Sequence, residues 1–233
     1  MSQSTAPALA LFDIDGTLIR RAGPHHRQAL EEAIRRVVGV DTSTDGIPLF
    51  GMLDPDIIRE MLRREGVSER KTRAALPEIA AAAGRIYVRT CPPIERKTCP
   101  GVRRLLRGLE RRGVALALVT GNLTRIGWWK LERAGLRRYF RFGAFGDMAP
   151  DRAALARIAV RHARRQGWIG KDAPVTLIGD APADVLAARA GGIRSIAVAT
   201  GLVSRERLES YAPDLALDDL RALRPEDLLE DVL

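Results

Sequence analysis

The chain has 233 residues, 46% of them hydrophobic, enough for a sizeable core or for one domain carrying an insertion. No apolar run approaches the roughly 18 residues of a membrane span, and residues 1–8 lack the basic flank and apolar stretch of a secretory signal, so a cytoplasmic protein with no membrane partner is expected. The net charge is +9, but 34 of the 38 basic residues are arginines spread along the helical segments and aromatic content is only 5%, which argues against a nucleic-acid partner.

The first predicted element is a strand. Leu9, Ala10, Leu11 and Phe12 run without interruption into Asp13-Ile14-Asp15-Gly16-Thr17. A short apolar run bounded by a turn signal reads as a buried strand of a parallel sheet. Ligands of such sheets bind outside the carboxyl ends of the strands. In extended backbone, Asp13 and Asp15 would share one face. Two anions so close need a cation or a catalytic reason to be there, and Mg2+ is a hard cation that takes few protein carboxylates. Taken alone, the pair also reads as an Asp-Gly turn that closes a strand.

Residues 20–95 show no strand signal. Residues 26–38 carry Leu30, Ile34, Val37 and Val38 at helical spacing, with Gly39 as a stop. Asp54 caps a second helix with Pro55 in its first turn and Gly66 at its end. Ser68 caps a third, which Pro77 is expected to break or restart before helix resumes to about Val88. The adjacent His25 and His26 read as solvated. Cys91 and Cys99 match no zinc spacing and are expected to be ordinary thiols in a proline-rich linker.

From Pro100 onward helix and strand alternate. Helices are expected over residues 100–112, from after Asn122 to 134, and over 152–165 and 183–190. Strands are expected over 114–119, 140–145, 175–179 and 193–198. Trp128 and Trp129 are assigned to the core. Strands separated by single helices imply βαβ units and a Rossmann-like parallel sheet of order 3-2-1-4-5. The first strand belongs to this α/β region by type. The expected organisation is therefore an α/β core (1–19 and 97–233) interrupted by an all-helical cap (20–96), with linkers near 19–22 and 91–100.

Three strand ends then carry polar clusters on one edge of the sheet: Asp13 with Asp15, Thr120-Gly121-Asn122, and Asp180 with Asp184. A hydroxyl, a glycine with an exposed N–H and an amide make a phosphate cradle, and a further carboxylate completes a cation site. The sequence resembles the haloacid dehalogenase superfamily of hydrolases on Asp13-Ile14-Asp15-Gly16-Thr17, Val119-Thr120-Gly121-Asn122 and Ile178-Gly179-Asp180-Ala181-Pro182-Ala183-Asp184. It looks most like the phosphoglycolate-phosphatase-like branch with a helical cap.

That resemblance implies Asp13 as nucleophile and Asp15 as general acid and base. It implies Mg2+ on Asp13, on the backbone carbonyl of Asp15 and on Asp180. Asp184 then tunes the site from behind or caps its own helix. The family's usual lysine before the fourth strand is missing, because Asp147-Met148-Ala149-Pro150-Asp151-Arg152 fills that stretch. Lys171 would lie about 16 Å from the strand's far end, and no lysine fits well. Arg152, always charged and able to grip phosphate bidentately, is expected to replace it. The expected activity is Mg2+-dependent hydrolysis of a small phosphorylated metabolite, of phosphoglycolate or sugar-phosphate type, through an aspartyl-phosphate. A phosphomutase, a dehalogenase and a non-catalytic binding protein on the same scaffold are the alternatives.

Overall fold

The computed structural model describes residues 5–20 and 23–229; part of the leading segment (1–4) and of the first predicted linker (21–22) lies outside them. Six strands, β1 (Leu9–Phe12), β2 (Ala115–Thr120), β3 (Phe142–Phe145), β4 (Val175–Gly179), β5 (Arg194–Val198) and β6 (Leu215–Leu217), form one parallel sheet of order β3-β2-β1-β4-β5-β6. The expected order is present, and β6 extends it. This strand has only three residues and no fully buried position, so it carries no apolar pattern to read. It is held beside β5 partly by Asp214, which accepts from the Ser195 N–H (2.7 Å) and hydroxyl (2.8 Å).

The apolar runs of β1, β2 and β4 are buried from end to end, as a sheet covered on both faces requires. Alternate residues serve opposite cores. Leu9 and Leu11 pack with Val119, Leu155, Ala159 and Leu177 on one face. Ala10 and Phe12 face the other core, which continues into Leu30, Ile34, Ile58, Leu62 and Tyr87 of the inserted helices.

Those helices, α1 (His25–Val38), α2 (Asp54–Arg64) and α3 (Glu69–Thr90), are placed between β1 and β2. Helix α1 ends on Gly39 at φ 77°, the left-handed cap that its sequence signals. Helix α3 begins as expected, with Ser68 accepting from the Lys71 N–H, but it does not break at Pro77. Pro77 lies on an exposed turn, where water can take the carbonyl that the missing N–H leaves unpaired, and Ile79, Ala83, Ile86 and Tyr87 bury the stripe beyond it. Helices α4 (Val102–Arg111), α5 (Thr124–Arg133), α6 (Arg152–Arg165), α7 (Pro182–Ala190) and α8 (Arg205–Glu209) complete the chain.

The two connectors to the inserted helices pair with each other. Cys99 N–H donates to the Leu18 carbonyl (3.0 Å), Arg20 N–H donates to the Lys97 carbonyl (2.7 Å), and Ile19 and Thr98 form an antiparallel bridge. Cys91 and Cys99 are free and buried. Trp128 and Trp129 lie against the core, not within it, and Arg137 covers Trp128 at 3.8 Å. Among the described residues no helix is long and apolar enough to cross a membrane.

Candidate active site

All three polar clusters gather at the carboxyl edge of the sheet. Asp13 follows the last residue of β1, and its N–H continues the ladder to the Ile178 carbonyl (3.0 Å). Asp15 does not share its face, contrary to the extended-strand expectation. The backbone turns back at Asp15, where Gly16 N–H donates to the Ile19 carbonyl (2.8 Å). The two carboxylates therefore serve different neighbours.

Asp13 meets Asp180 and Asp184, with one oxygen from each lying within 4.8 Å of the others. Asp180 follows β4 and accepts from the Thr17 hydroxyl (3.1 Å). Gly16, at φ +82°, and Gly201 both abut that carboxylate, and a Cβ on either would overlap it. The glycine of Asp-Gly-Thr is thus demanded by a residue 164 positions downstream as well as by its own turn. Asp184 sits in the first turn of α7 and accepts from the Ala181 N–H (3.1 Å). Asp184 thus closes the first turn of its helix and lies beside Asp13 and Arg152.

Arg152 is the cation of this group. Asp151 caps α6 by accepting from the Ala154 N–H (2.7 Å), which fixes the helix start and turns Arg152 inward, only 7% exposed. Its guanidinium donates to Asp184 (2.6 Å) and stands 3.4 Å from Asp13 Oδ1. That oxygen is buried and accepts no hydrogen bond among the described residues. One arginine does not balance three carboxylates. Burial raises the Asp180 pKa, and repulsion from Asp13 and Asp184 adds to the rise. Burial likewise lifts Asp184, to about 6, against the pull of Arg152. A site that raises its own acids in this way suits a divalent cation.

Asp15 belongs to a second group. Its side chain is 42% exposed and pairs through Oδ2 with the Lys130 ammonium (2.5 Å) and the Asn122 amide (2.8 Å). Withdrawal from bulk water opposes its charge, but Lys130 holds the carboxyl below its ordinary range. Lys130 is a site residue that the family's motif spacing did not reveal, because it comes from α5 rather than from the helix before β4. The sequence did hold a signal. Ile126, Gly127, Lys130 and Leu131 share one helical stripe, so a lysine lies on the core face.

The Thr120-Gly121-Asn122 segment closes β2, but the Asn122 side chain does not face the cradle. Its amide donates to Asp15 and to Thr120 Oγ1 (2.8 Å) while its carbonyl accepts from Lys130 (2.6 Å). The Thr120 hydroxyl and the Gly121 N–H are what remain for an anion, since the Asn122 N–H reaches Thr120 Oγ1 (3.4 Å). Above them lies the segment leading into α2. Asp54 N–H donates to the Gly121 carbonyl (2.8 Å), and a Cβ on Gly121 would overlap the Met52 carbonyl. Gly121→Ala is expected to cost about 1–3 kcal/mol by unseating this segment, read as a lower urea midpoint at unchanged slope. An unchanged midpoint would show that the segment yields freely.

Asp54 is not the N-cap that its sequence suggested. Leu53 holds that position, and the Asp54 carboxylate instead accepts from the Leu123 N–H (2.7 Å) and from His26 (2.9 Å). His26 is correspondingly not a solvated histidine: its other ring nitrogen faces Lys130 at 3.1 Å.

The family profile described as haloacid dehalogenase-like hydrolase matches residues 7–192. Phosphoglycolate phosphatase 1 of Pseudomonas aeruginosa is 31% identical over 228 residues, spanning 94% of this chain and 79% of that protein. Among solved structures, CbbY from Rhodobacter sphaeroides in complex with phosphate superposes with a TM-score of 0.68 at 24% identity, over 92% of this chain and 95% of that one. A beta-phosphoglucomutase from Clostridium difficile superposes at 0.67 with 19% identity, over 96% and 95% of the two chains. At these identities the structural likenesses speak for the fold alone.

Proposed function

Because this chain belongs to the haloacid dehalogenase-like hydrolase family, we propose that it hydrolyses the phosphomonoester of a small metabolite. A phosphoglycolate or a sugar phosphate in the cytoplasm is the substrate type, and Mg2+ the cofactor. Residues 20–96 act as the cap, and 1–19 with 97–233 as the catalytic body. The observation that carries this reading is the buried trio Asp13, Asp180 and Asp184 around an Asp13 oxygen with no hydrogen-bond partner, beside a buried arginine.

The donors fit a hard dication: they are carboxylate oxygens that repel one another in its absence. Asp13, Asp180 and the backbone carbonyl of Asp15 would hold Mg2+, with Asp184 bracing Arg152 behind them. The ion, when bound, would offset repulsion between the attacking carboxylate and the phosphate and neutralise developing charge. Asp13 attacks phosphorus, and the bond to the leaving oxygen breaks as Asp15, which must first take a proton from solvent because Lys130 favours its ionised form, passes that proton to the oxygen. Water then attacks the aspartyl-phosphate, Asp15 takes its proton, and Asp13 is restored. Arg152, Thr120, the Gly121 N–H and, on turning from Thr120 Oγ1, the Asn122 N–H grip the phosphate.

A phosphate-release screen over phosphoglycolate, sugar phosphates and nucleotides tests the reading. Activity is expected with Mg2+ and none with EDTA; release by the EDTA-treated protein would defeat it. The raised carboxyls add a pH signature. For an acid whose pKa is raised on folding, the penalty is absent below its unfolded value of 3.8, grows as pH rises, and for Asp184 is complete above about 6. A dication removes that penalty. Saturating Mg2+ is therefore expected to raise Tm by about 5–10 °C near neutral pH and hardly at all near pH 4, by calorimetry. An equal rise at both would refute this origin.

A further inference from the structure

Four charged or polar side chains form an unbroken chain from the inserted helices to the acid–base carboxylate. Asp54 of α2 accepts from His26 Nε2 of α1 (2.9 Å), His26 Nδ1 meets the Lys130 ammonium of α5 (3.1 Å), and Lys130 holds Asp15 Oδ2 (2.5 Å). An ammonium only donates, so Nδ1 must accept and the ring proton sits on Nε2, facing Asp54. Lys130 is 2% exposed, and its three donors are all placed, on Asp15, His26 and Asn122. Asp15 Oδ1, in contrast, accepts no hydrogen bond among the described residues, and the side chain as a whole is 42% exposed.

We propose that Lys130 is the positioning residue for Asp15, and that His26 and Asp54 complete it only when the inserted helices are seated. This rests on the phosphatase reading and on Asp15 as its acid–base group. Anchoring Oδ2 twice leaves Oδ1 as the oxygen aimed at the leaving group. Two of the four members belong to the inserted helices. Seating is fixed at the same place: Asp54 also accepts from the Leu123 N–H and donates its own N–H to the Gly121 carbonyl. When α1 and α2 swing away, Lys130 loses one of its three partners while Lys130 and Asn122 still hold Asp15 Oδ2, so the aim of Asp15 is loosened through Lys130. Proton transfer to the leaving oxygen is thereby tied to closure.

The test compares Lys130→Met, His26→Phe and the double variant. Methionine keeps the volume of the lysine stem, and phenylalanine keeps the ring beside Tyr87, 5.8 Å away, while ending both hydrogen bonds. Leaving-group release in a single turnover isolates the first half-reaction. With an alkyl phosphate, Lys130→Met is expected to slow release about 100-fold and His26→Phe about 10-fold. With p-nitrophenyl phosphate, whose nitrophenolate departs without a proton, either variant should change release less than about 3-fold. The double variant should be no slower than Lys130→Met, because both act through one chain. Equal losses on the two esters, or additive losses, would overturn the proposal.

Imidazole nitrogen NMR of the metal-free protein supplies a readout apart from turnover, and it stands if Lys130→Met fails to fold. A fixed Nε2–H tautomer of His26 is expected in the wild type, and a tautomer mixture would overturn the chain. Wild-type protein inactive on both esters would sink the phosphatase reading instead, with the NMR result still deciding the hydrogen-bond chain.

Discussion

Replacing Asp13 with asparagine is expected to lower turnover by roughly 10⁴-fold or more while leaving the protein no less stable than the wild type. The two halves of this expectation have different causes. An amide oxygen cannot form the ester with phosphorus that a carboxylate can, so the covalent route closes. Stability moves the other way because Asp13 is one of three carboxyl groups packed within 4.8 Å, with a single arginine among them. Removing one negative charge relieves Asp180 and Asp184, both of which are raised by their anionic neighbours. Arg152 keeps its 2.6 Å bond to Asp184. Steady-state kinetics beside urea unfolding in the absence of metal checks both. Full turnover by Asp13→Asn would reject the nucleophile; a large loss of stability would reject the account of repulsion.

Arg152→Ala is expected to do the reverse, damaging fold and activity together. From its place at the head of a helix, Arg152 reads as a phosphate-gripping group whose loss mainly weakens substrate binding. In the structure it is also, among the described residues, the one cation paired with a buried trio, 7% exposed and bonded to Asp184. Taking one partner from a buried ion pair costs about 3–5 kcal/mol, because the remaining charge is stranded. The Cα of residue 152 is well anchored by the Asp151 cap, so the chain cannot relax far to let water in. Urea unfolding at neutral pH should show the loss, KM should rise, and Mg2+ should recover part of the stability. Arg152→Lys, with charge retained but the fork lost, should fall between. Wild-type stability for Arg152→Ala would mean that the pair with Asp184 is worth little.

The sequence laid out the sheet more fully than the site. Short, mostly apolar runs at residues 9–12, 114–119 and 175–179 read as buried strands when helices alternate with them, and five strands and their order followed. Strand β6 escaped because three half-buried residues leave no periodic trace. Pro77 misled because a proline's local cost says nothing about the burial on either side of it. At the site, residues fixed by strand ends were legible: Asp13 and Asp180 directly follow a strand, Thr120 ends one, and Asp184 stands in the helix after the last of them. Arg152 was legible from its helix start.

Groups that reach the site across the fold were not. Lys130 lies two turns into α5, and His26 and Asp54 come from helices with no part in the sheet. Local rules made one a solvated ring and the other a helix cap, since both patterns are satisfied within a few residues. The turn of the Asn122 side chain toward Lys130 and Asp15 was likewise not legible, because both partners reach it from other elements.

The mutual pairing of the two connectors, Cys99 with Leu18 and Arg20 with Lys97, limits how the helical unit travels. Separate tethers would let it tumble, whereas a bonded ribbon flexes as one leaf and resists shear and torsion. Travel is then a swing about a single line, like a door on its post. Opening of the helical unit away from Asp15 would then follow that one line rather than a free displacement.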